Sequence, residues 1–349
     1  MNTFEIAGRK IGPGQPCYII AELSANHGQN IDNALALVKV AKDAGADAIK
    51  LQTYRADTIT IDCDNEYFTI KKGTAWEGQR LYDLYEEAHT PWEWHQAIFD
   101  EATKYGLQCF SSPFDDTAVD FLESINAPAY KIASFEIVDH GLIAKVAQTG
   151  KPMIMSTGMA SKEEVAEAVQ VARDNGCTQL ALLKCVSAYP APADEMHLST
   201  IQDLSQSFDC PAGLSDHTLG ITIPVAAASI GATIIEKHFT LRRSDGGPDS
   251  HFSLEPHEFN EMVTAVRDAQ SAVSTPSYEL TKSQVASRMF RRSLFVVKDI
   301  KAGEKLTAEN VRSIRPGHGL APKHLNDVLT KTAVNDILRG TPLNWDLIN

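Results

Sequence analysis

The chain of 349 residues contains no run of 18 apolar residues, and its longest weakly polar stretch, 221–235, is interrupted by Pro224, Ser229 and Gly231. A helical membrane span needs about 20 apolar residues, so none is expected. The opening MNTFEIAGRK lacks the apolar segment of a secretory signal, so a cytoplasmic location is expected. The six cysteines show no CxxC spacing and read as reduced thiols. A basic excess is also missing: 32 Lys+Arg stand against 45 Asp+Glu, a net charge of −13. Without a cationic face to displace counterions, nucleic acid is not an expected partner. No GxGxxG follows the first strand-like run, which argues against a dinucleotide-binding open sheet.

The charge that is present is unevenly spread. Residues 281–349 carry 12 basic and 6 acidic side chains, whereas residues 1–280 carry 20 and 39. Such asymmetry suggests two modules, joined near Ser274-Thr275-Pro276-Ser277. The expected division is a β-hairpin cap over 1–15, a catalytic domain over 16–273, a linker over 274–290 and a small domain over 291–349.

Eight β-rich runs recur in the larger part, at 18–22, 48–52, 109–112, 130–134, 153–158, 180–189, 212–215 and 233–238. Amphipathic helical patterns lie between them, with capping-box signatures at Thr90-Pro91-Trp92-Glu93 and Ser161-Lys162-Glu163-Glu164. Eight strands alternating with helices predict an α/β fold, a (β/α)8 barrel. Residues 4–11 alternate around Gly8 and read as a hairpin that closes the bottom.

Barrel active sites lie at the C-terminal ends of the strands. Those ends carry Glu22; Lys50 and Gln52; Ser112; Lys131 and Ser134; Ser156 and Thr157; Tyr189; Ser215 and His217; and Glu236 and His238. Buried barrel strands should be apolar, so polar ends on all eight mark a site. Lys50, Lys131, Ser112, Ser134, Ser156 and Ser215 supply the point charges and hydrogen-bond donors that a phosphate requires. Lys131 and Ser134 are an odd number of residues apart, so one of them must leave the strand. His217 and His238, one βα unit apart, are candidate ligands of one divalent metal, with positions left open for substrate or water.

Several segments resemble the sialic acid synthase family: residues 20–27 (IAELSANH), 50–54 (KLQTY), 131–134 (KIAS), 213–218 (GLSDHT) and 236–239 (EKHF). Residues 291–349 resemble that family's antifreeze-like SAF domain, notably at 299–304 (DIKAGE) and 315–317 (RPG). The resemblance implies a TIM barrel followed by a SAF domain, swapped across a homodimer. It also implies an enzyme that condenses phosphoenolpyruvate with an N-acetylated amino sugar and releases phosphate. By the same resemblance, His217 and His238 hold a divalent metal, with manganese expected and magnesium or cobalt as alternatives. Lys50, Ser112, Lys131, Ser134, Ser156, Ser187 and Ser215 surround phosphoenolpyruvate. Glu22, Gln52, Tyr189 and Asp249 lie around the sugar, and Arg315 reaches in from the partner subunit. The chain departs from the family at Ser187, usually asparagine, and at Ser112, usually threonine.

Segments 58–63, 81–85, 90–95, 246–249 and 252–256 resemble a branch whose sugar is 2,4-diacetamido-2,4,6-trideoxy-L-altrose. The alternative is a branch that makes N-acetylneuraminate or legionaminic acid from an N-acetylmannosamine-type sugar. The long segment 55–90 carries Tyr67, Phe68 and Trp76, which either cover an apolar sugar edge or pack the segment onto the barrel. A carboxylate near C2 of phosphoenolpyruvate would stabilise positive charge there or activate water. Glu22 and Glu136 are the candidates. Cys185 reads as packing. A metal-dependent barrel hydrolase is the weaker reading, because the first strand lacks an HxH pair. A non-catalytic carbohydrate- or ice-binding protein would leave eight polar strand ends without purpose.

Overall fold

A computed structural model describes residues 4–71 and 76–349. Parts of two sequence expectations, residues 1–3 of the hairpin cap and 72–75 within the long segment, lie outside the described residues. The chain divides into two compact units, one running to Ser274 and the other Thr275–Asn349.

The first unit opens with the antiparallel hairpin of β1 (Phe4–Ile6) and β2 (Arg9–Ile11). Its two-residue turn places Ala7 at φ 47° and Gly8 at φ 84°, the left-handed pair that matches strand twist. The eight following strands are all parallel: β3 (Tyr18–Glu22), β4 (Ala48–Thr53), β5 (Gln108–Pro113), β6 (Tyr130–Ile132), β7 (Met153–Ser156), β8 (Leu180–Cys185), β9 (Ala212–Asp216) and β10 (Ile234–His238). β10 pairs with both β9 and β3, which closes the barrel. This is the (β/α)8 fold expected from the alternation of strand and helix patterns.

Alternation of side chains along the strands sorts the residues into two cores. Outward-facing Ile19, Ile49, Leu51, Met153, Met155, Leu182 and Leu214 pack under helical residues such as Leu37, Val38 and Ala41. Inward-facing Tyr18, Ile20, Ala48, Phe110, Ile154, Leu183 and Ile234 form a second cluster with Phe4, Ile6 and Ile11 of the hairpin. The hairpin therefore plugs the N-terminal end of the barrel, and the C-terminal end stays free for polar groups.

Three local expectations change. The strand expected over 130–134 ends at Ile132, and Ser134 sits in the turn that follows. The segment 55–90 contains the helices Ala56–Ile59 and Leu81–Ala88. Thr90 does not cap the helix His95–Lys104; its hydroxyl lies 3.2 Å from His27 Nε2, and the helix is entered through the 3-10 turn Trp92–Trp94. Ser161 does cap its helix, with Glu164 bonding back to the Ser161 N–H.

The second unit has little regular structure. β11 (Ser293–Val296) and β12 (Val311–Ile314) form an antiparallel pair. Its core gathers Leu294, Val296, Ile300, Leu306, Val311, Val328, Ile337 and Leu343. Among the described residues no helix is long and apolar enough to cross a membrane.

Candidate active site

Above the apolar floor, each strand contributes one inward residue to a polar layer: Glu22, Lys50, Ser112, Lys131, Ser156, Cys185, Ser215 and Glu236, all buried. Two residues further along the chain lie Gln52 and His238, still within their strands, and Ser24, Ser187 and His217, just past the ends of theirs. A spacing of two thus separates a lower ring from an upper set.

The lower ring holds two cations and two anions. Lys50 Nζ lies 2.8 Å from Glu22 Oε2 and 3.6 Å from Glu236 Oε1, and donates to Ser112 Oγ at 3.3 Å. Ser215 Oγ donates to Glu236 Oε1 at 3.1 Å. Burial pushes Glu22 above the usual carboxyl range, against the opposing pull of Lys50. Burial also disfavours charge on Glu236, but Lys131 and Lys50 together hold its carboxyl below the usual range.

Lys131 is different. Its ammonium donates to Ser156 Oγ at 2.6 Å and to the Ile132 carbonyl at 3.1 Å, and no described carboxylate lies within ion-pair distance. Burial lowers its pKa for that reason. A buried ammonium with a hydroxyl beside it and no carboxylate at ion-pair distance is a candidate anion site. Ser134 and Ser187 pair with each other, their hydroxyls 2.8 Å apart. Gly158, at φ 49°, lets the loop after β7 approach them, because a Cβ there would sit 2.5 Å from Ser134 Cβ. The odd spacing of Lys131 and Ser134 resolves as Lys131 on the inner face and Ser134 on the turn.

The two histidines face each other with ring centroids 5.3 Å apart. His217 Nδ1 lies 2.9 Å from the Val186 carbonyl, which makes it the protonated nitrogen and leaves the Nε2 lone pair free. His238 Nδ1 is buried with no hydrogen-bond partner. The other two buried histidines are fully engaged: His27 bonds the Gln29 N–H and Thr90, and His95 bonds Thr53 and the Pro91 carbonyl. Orphaned imidazole nitrogen therefore occurs where a cation would need it. Among the described residues no three His, Cys, Asp or Glu side chains converge on one point. An ion held by these two imidazoles must take its remaining ligands from water or substrate oxygen, so the donor set fits an open divalent site.

The outer wall is aromatic. Tyr189 lies 4.4 Å from His217, 5.3 Å from Phe252 and 5.6 Å from Trp76 between ring centroids. Trp76 Nε1 donates to the Pro248 carbonyl at 3.1 Å, which brings part of the long segment to the mouth, whereas Tyr67 is largely exposed. Gln52 Nε2 donates to Glu22 Oε1 at 2.9 Å and to Ser24 Oγ at 3.0 Å, and Ser24 donates to Asp249. Glu136 lies in the turn after β6 with Oε2 buried and unpartnered. Burial pushes its pKa up to about 7, against Lys131. Cys185 is on the inner face, 3.8 Å from His217 Nδ1. Arg315 is exposed at the end of β12, in the second unit.

The sequence left Glu236 without a role, although its two-residue spacing from His238 puts both on one face. Ser24 was also missed. It occupies φ 44°, and no local pattern marks it as the link between Gln52 and Asp249.

The chain is similar to known proteins. The NeuB family profile matches residues 37–278 and that of the SAF domain residues 291–349. The chain is 46% identical to the pseudaminic acid synthase of Campylobacter jejuni, over 93% of this chain and 95% of that protein. It is 33% identical to the N,N'-diacetyllegionaminic acid synthase of Legionella pneumophila, over 97% and 96%. The N-acetylneuraminic acid (sialic acid) synthetase of Leptospira borgpetersenii, crystallised with citrate, superposes with a TM-score of 0.73 and 31% identity, covering 82% of this chain and 95% of that one.

Proposed function

Because the chain belongs to the NeuB family and carries a SAF domain, we propose that it is a pseudaminic acid synthase. It condenses phosphoenolpyruvate with 2,4-diacetamido-2,4,6-trideoxy-L-altrose and water, giving pseudaminic acid and phosphate. The observation that carries this reading is the buried Lys131, bonded to Ser156 with no described carboxylate at ion-pair distance, together with two histidines with free lone pairs. The choice of sugar rests on the higher identity to the pseudaminic than to the legionaminic relative.

Lys131, Lys50 and the hydroxyls of Ser112, Ser134, Ser156, Ser187 and Ser215 hold the phosphate and carboxylate of phosphoenolpyruvate. Gln52, Tyr189 and Asp249 orient the open-chain sugar, with Trp76 and Phe252 against its apolar edge. C3 of the enol forms a bond to C1 of the aldehyde, and the aldehyde oxygen takes a proton. Positive charge then develops at C2, where Glu22 and Glu136 are the facing carboxylates, and one of them takes the proton of the water that adds. The resulting C2 hydroxyl loses its proton as the C2–O bond to phosphate breaks, leaving the keto acid. A divalent ion at His217 and His238, manganese by preference, supplies Lewis acidity toward the aldehyde oxygen when bound. The working unit is a cytoplasmic homodimer in which Arg315 of one chain serves the barrel of the other.

The test measures phosphate release from phosphoenolpyruvate with the diacetamido sugar and with N-acetylmannosamine. The diacetamido sugar should give a kcat/KM at least tenfold higher. Comparable values would move the protein to the sialic acid branch, and no phosphate from either sugar would refute a synthase.

A further inference from the structure

Asp216 and Lys237 are register partners on β9 and β10, and both side chains are completely buried on the outer face of the barrel. Their inward neighbours are Ser215 and His217 on one strand and Glu236 and His238 on the other. Lys237 Nζ lies 2.5 Å from Asp216 Oδ2 and also donates to the Thr218 carbonyl. Asp216 in turn accepts from the Thr218 N–H at 3.1 Å and from the Thr218 hydroxyl at 3.0 Å.

The position of this cluster matters more than its strength. The pairing of β9 with β10 ends at Asp216–Lys237, and that with β8 ends at Ser215–Cys185. His217 lies one residue beyond the ladder with β10 and two beyond that with β8; its Nδ1 donates to the Val186 carbonyl and its own carbonyl accepts from the Ala191 N–H at 3.0 Å. The residues on either side of it are fixed as well: Asp216 by the ion pair, and Thr218 at its N–H, hydroxyl and carbonyl. Lys237, whose next residue is His238, binds the Asp216 carboxylate and the Thr218 carbonyl, while the Thr218 N–H and hydroxyl go to Asp216. A buried ion pair costs more to desolvate than an apolar pair of the same volume, so stability alone does not account for it. Fixing a register is the best-attested use of such a group.

We propose that the Asp216–Lys237 pair is a positioning device that holds His217 at its working distance from His238, and so sets the affinity of the ion between them. The proposal rests on the reading of these histidines as ion ligands, and its test separates the two ideas. Full-length, metal-stripped protein is titrated with cobalt(II), followed by equilibrium dialysis and by the visible absorption of the ion. The double variant Asp216→Asn/Lys237→Met removes both charges together and keeps the Asn side chain able to bond Thr218. Its dissociation constant for cobalt should rise about 10–100-fold, the usual effect of losing a group that orients a ligand. Its thermal midpoint should stay within a few degrees of wild type, and the KM for phosphoenolpyruvate should be unchanged. A folded double variant with a cobalt affinity within about twofold of wild type would overturn the proposal. If the double variant does not fold, Thr218→Val deletes only the hydroxyl bond; severalfold weaker cobalt binding is then expected, and unchanged binding overturns the proposal. Wild-type protein that takes up no cobalt would instead refute the ion site itself, and the positioning role with it.

Discussion

Lys131 is 2% exposed and bonds one hydroxyl and one carbonyl, with no described carboxylate within ion-pair distance, and Glu236 and Glu22 act on it from further off. Binding an anion would give the ammonium a direct charged partner. A hydrogen bond to a charged group contributes about 1.5–3 kcal/mol. Lys131→Ala should therefore raise the KM for phosphoenolpyruvate roughly 10–100-fold, read from initial rates at saturating sugar. An unchanged KM and kcat would remove Lys131 from the phosphate site. Glu136 offers a second test. Burial pushes its carboxyl up to about 7. A base must be ionised to take a proton, so if Glu136 activates water, kcat/KM rises with pH and levels off above about 7. Below that point it falls about tenfold per pH unit. Glu136→Gln should abolish this acid limb along with most of kcat. A Gln variant that keeps the limb would assign the role to Glu22.

Within the strands, the site depends on β9 and β10 lying close together. Gly213 sits on β9 with its missing Cβ directed at β10, where an added Cβ would come within 2.9 Å of the Ile234 carbonyl carbon and Cβ. Both atoms belong to a paired strand and cannot swing aside. Gly213→Ala should cost about 1–3 kcal/mol through overpacking, seen as a lower thermal midpoint. It should also push Ser215 and His217 away from Glu236 and His238, so kcat should fall more than the stability loss explains. His217→Ala and His238→Ala keep the strands and remove only the imidazoles. Each should abolish turnover while leaving the thermal midpoint near that of wild type, whereas measurable turnover in either would refute the ion site.

For the whole molecule, the proposed role of Arg315 across a dimer is open to a direct test. Residues 281–349 are basic and the remainder strongly acidic, so the two parts attract, whether within one chain or between two. Mixing two inactive variants, Arg315→Ala and His217→Ala, discriminates. If each barrel uses the other chain's arginine, a hybrid dimer holds one site with both defects and one with neither. Activity should then return to about a quarter of wild type under random subunit exchange with independent sites. Exchange confirmed without recovery would place the arginine in its own chain or outside the reaction. Removing metal with EDTA should inactivate the enzyme, and manganese should restore it.

The barrel was legible because its cause is local. Alternating strand and helix patterns, with polar residues at eight strand ends, follow from period two and period 3.6 in a single chain. The strand pattern placed Lys50, Lys131, Ser156, Ser215, His217 and His238 at the C-terminal strand ends, where a barrel builds its site. Relations between strands were not legible. Opposite inward residues can be paired only when the register is known, so neither the Lys50–Glu22–Glu236 contacts nor the isolation of Lys131 follows from composition. Ser24 joined to Asp249 and Asp216 joined to Lys237 are contacts between residues 225 and 21 positions apart in the chain. The sequence by itself determined which residues lie at the strand ends. The closure of the barrel decided which of them touch, because charge balance and orphaned lone pairs are properties of a three-dimensional neighbourhood.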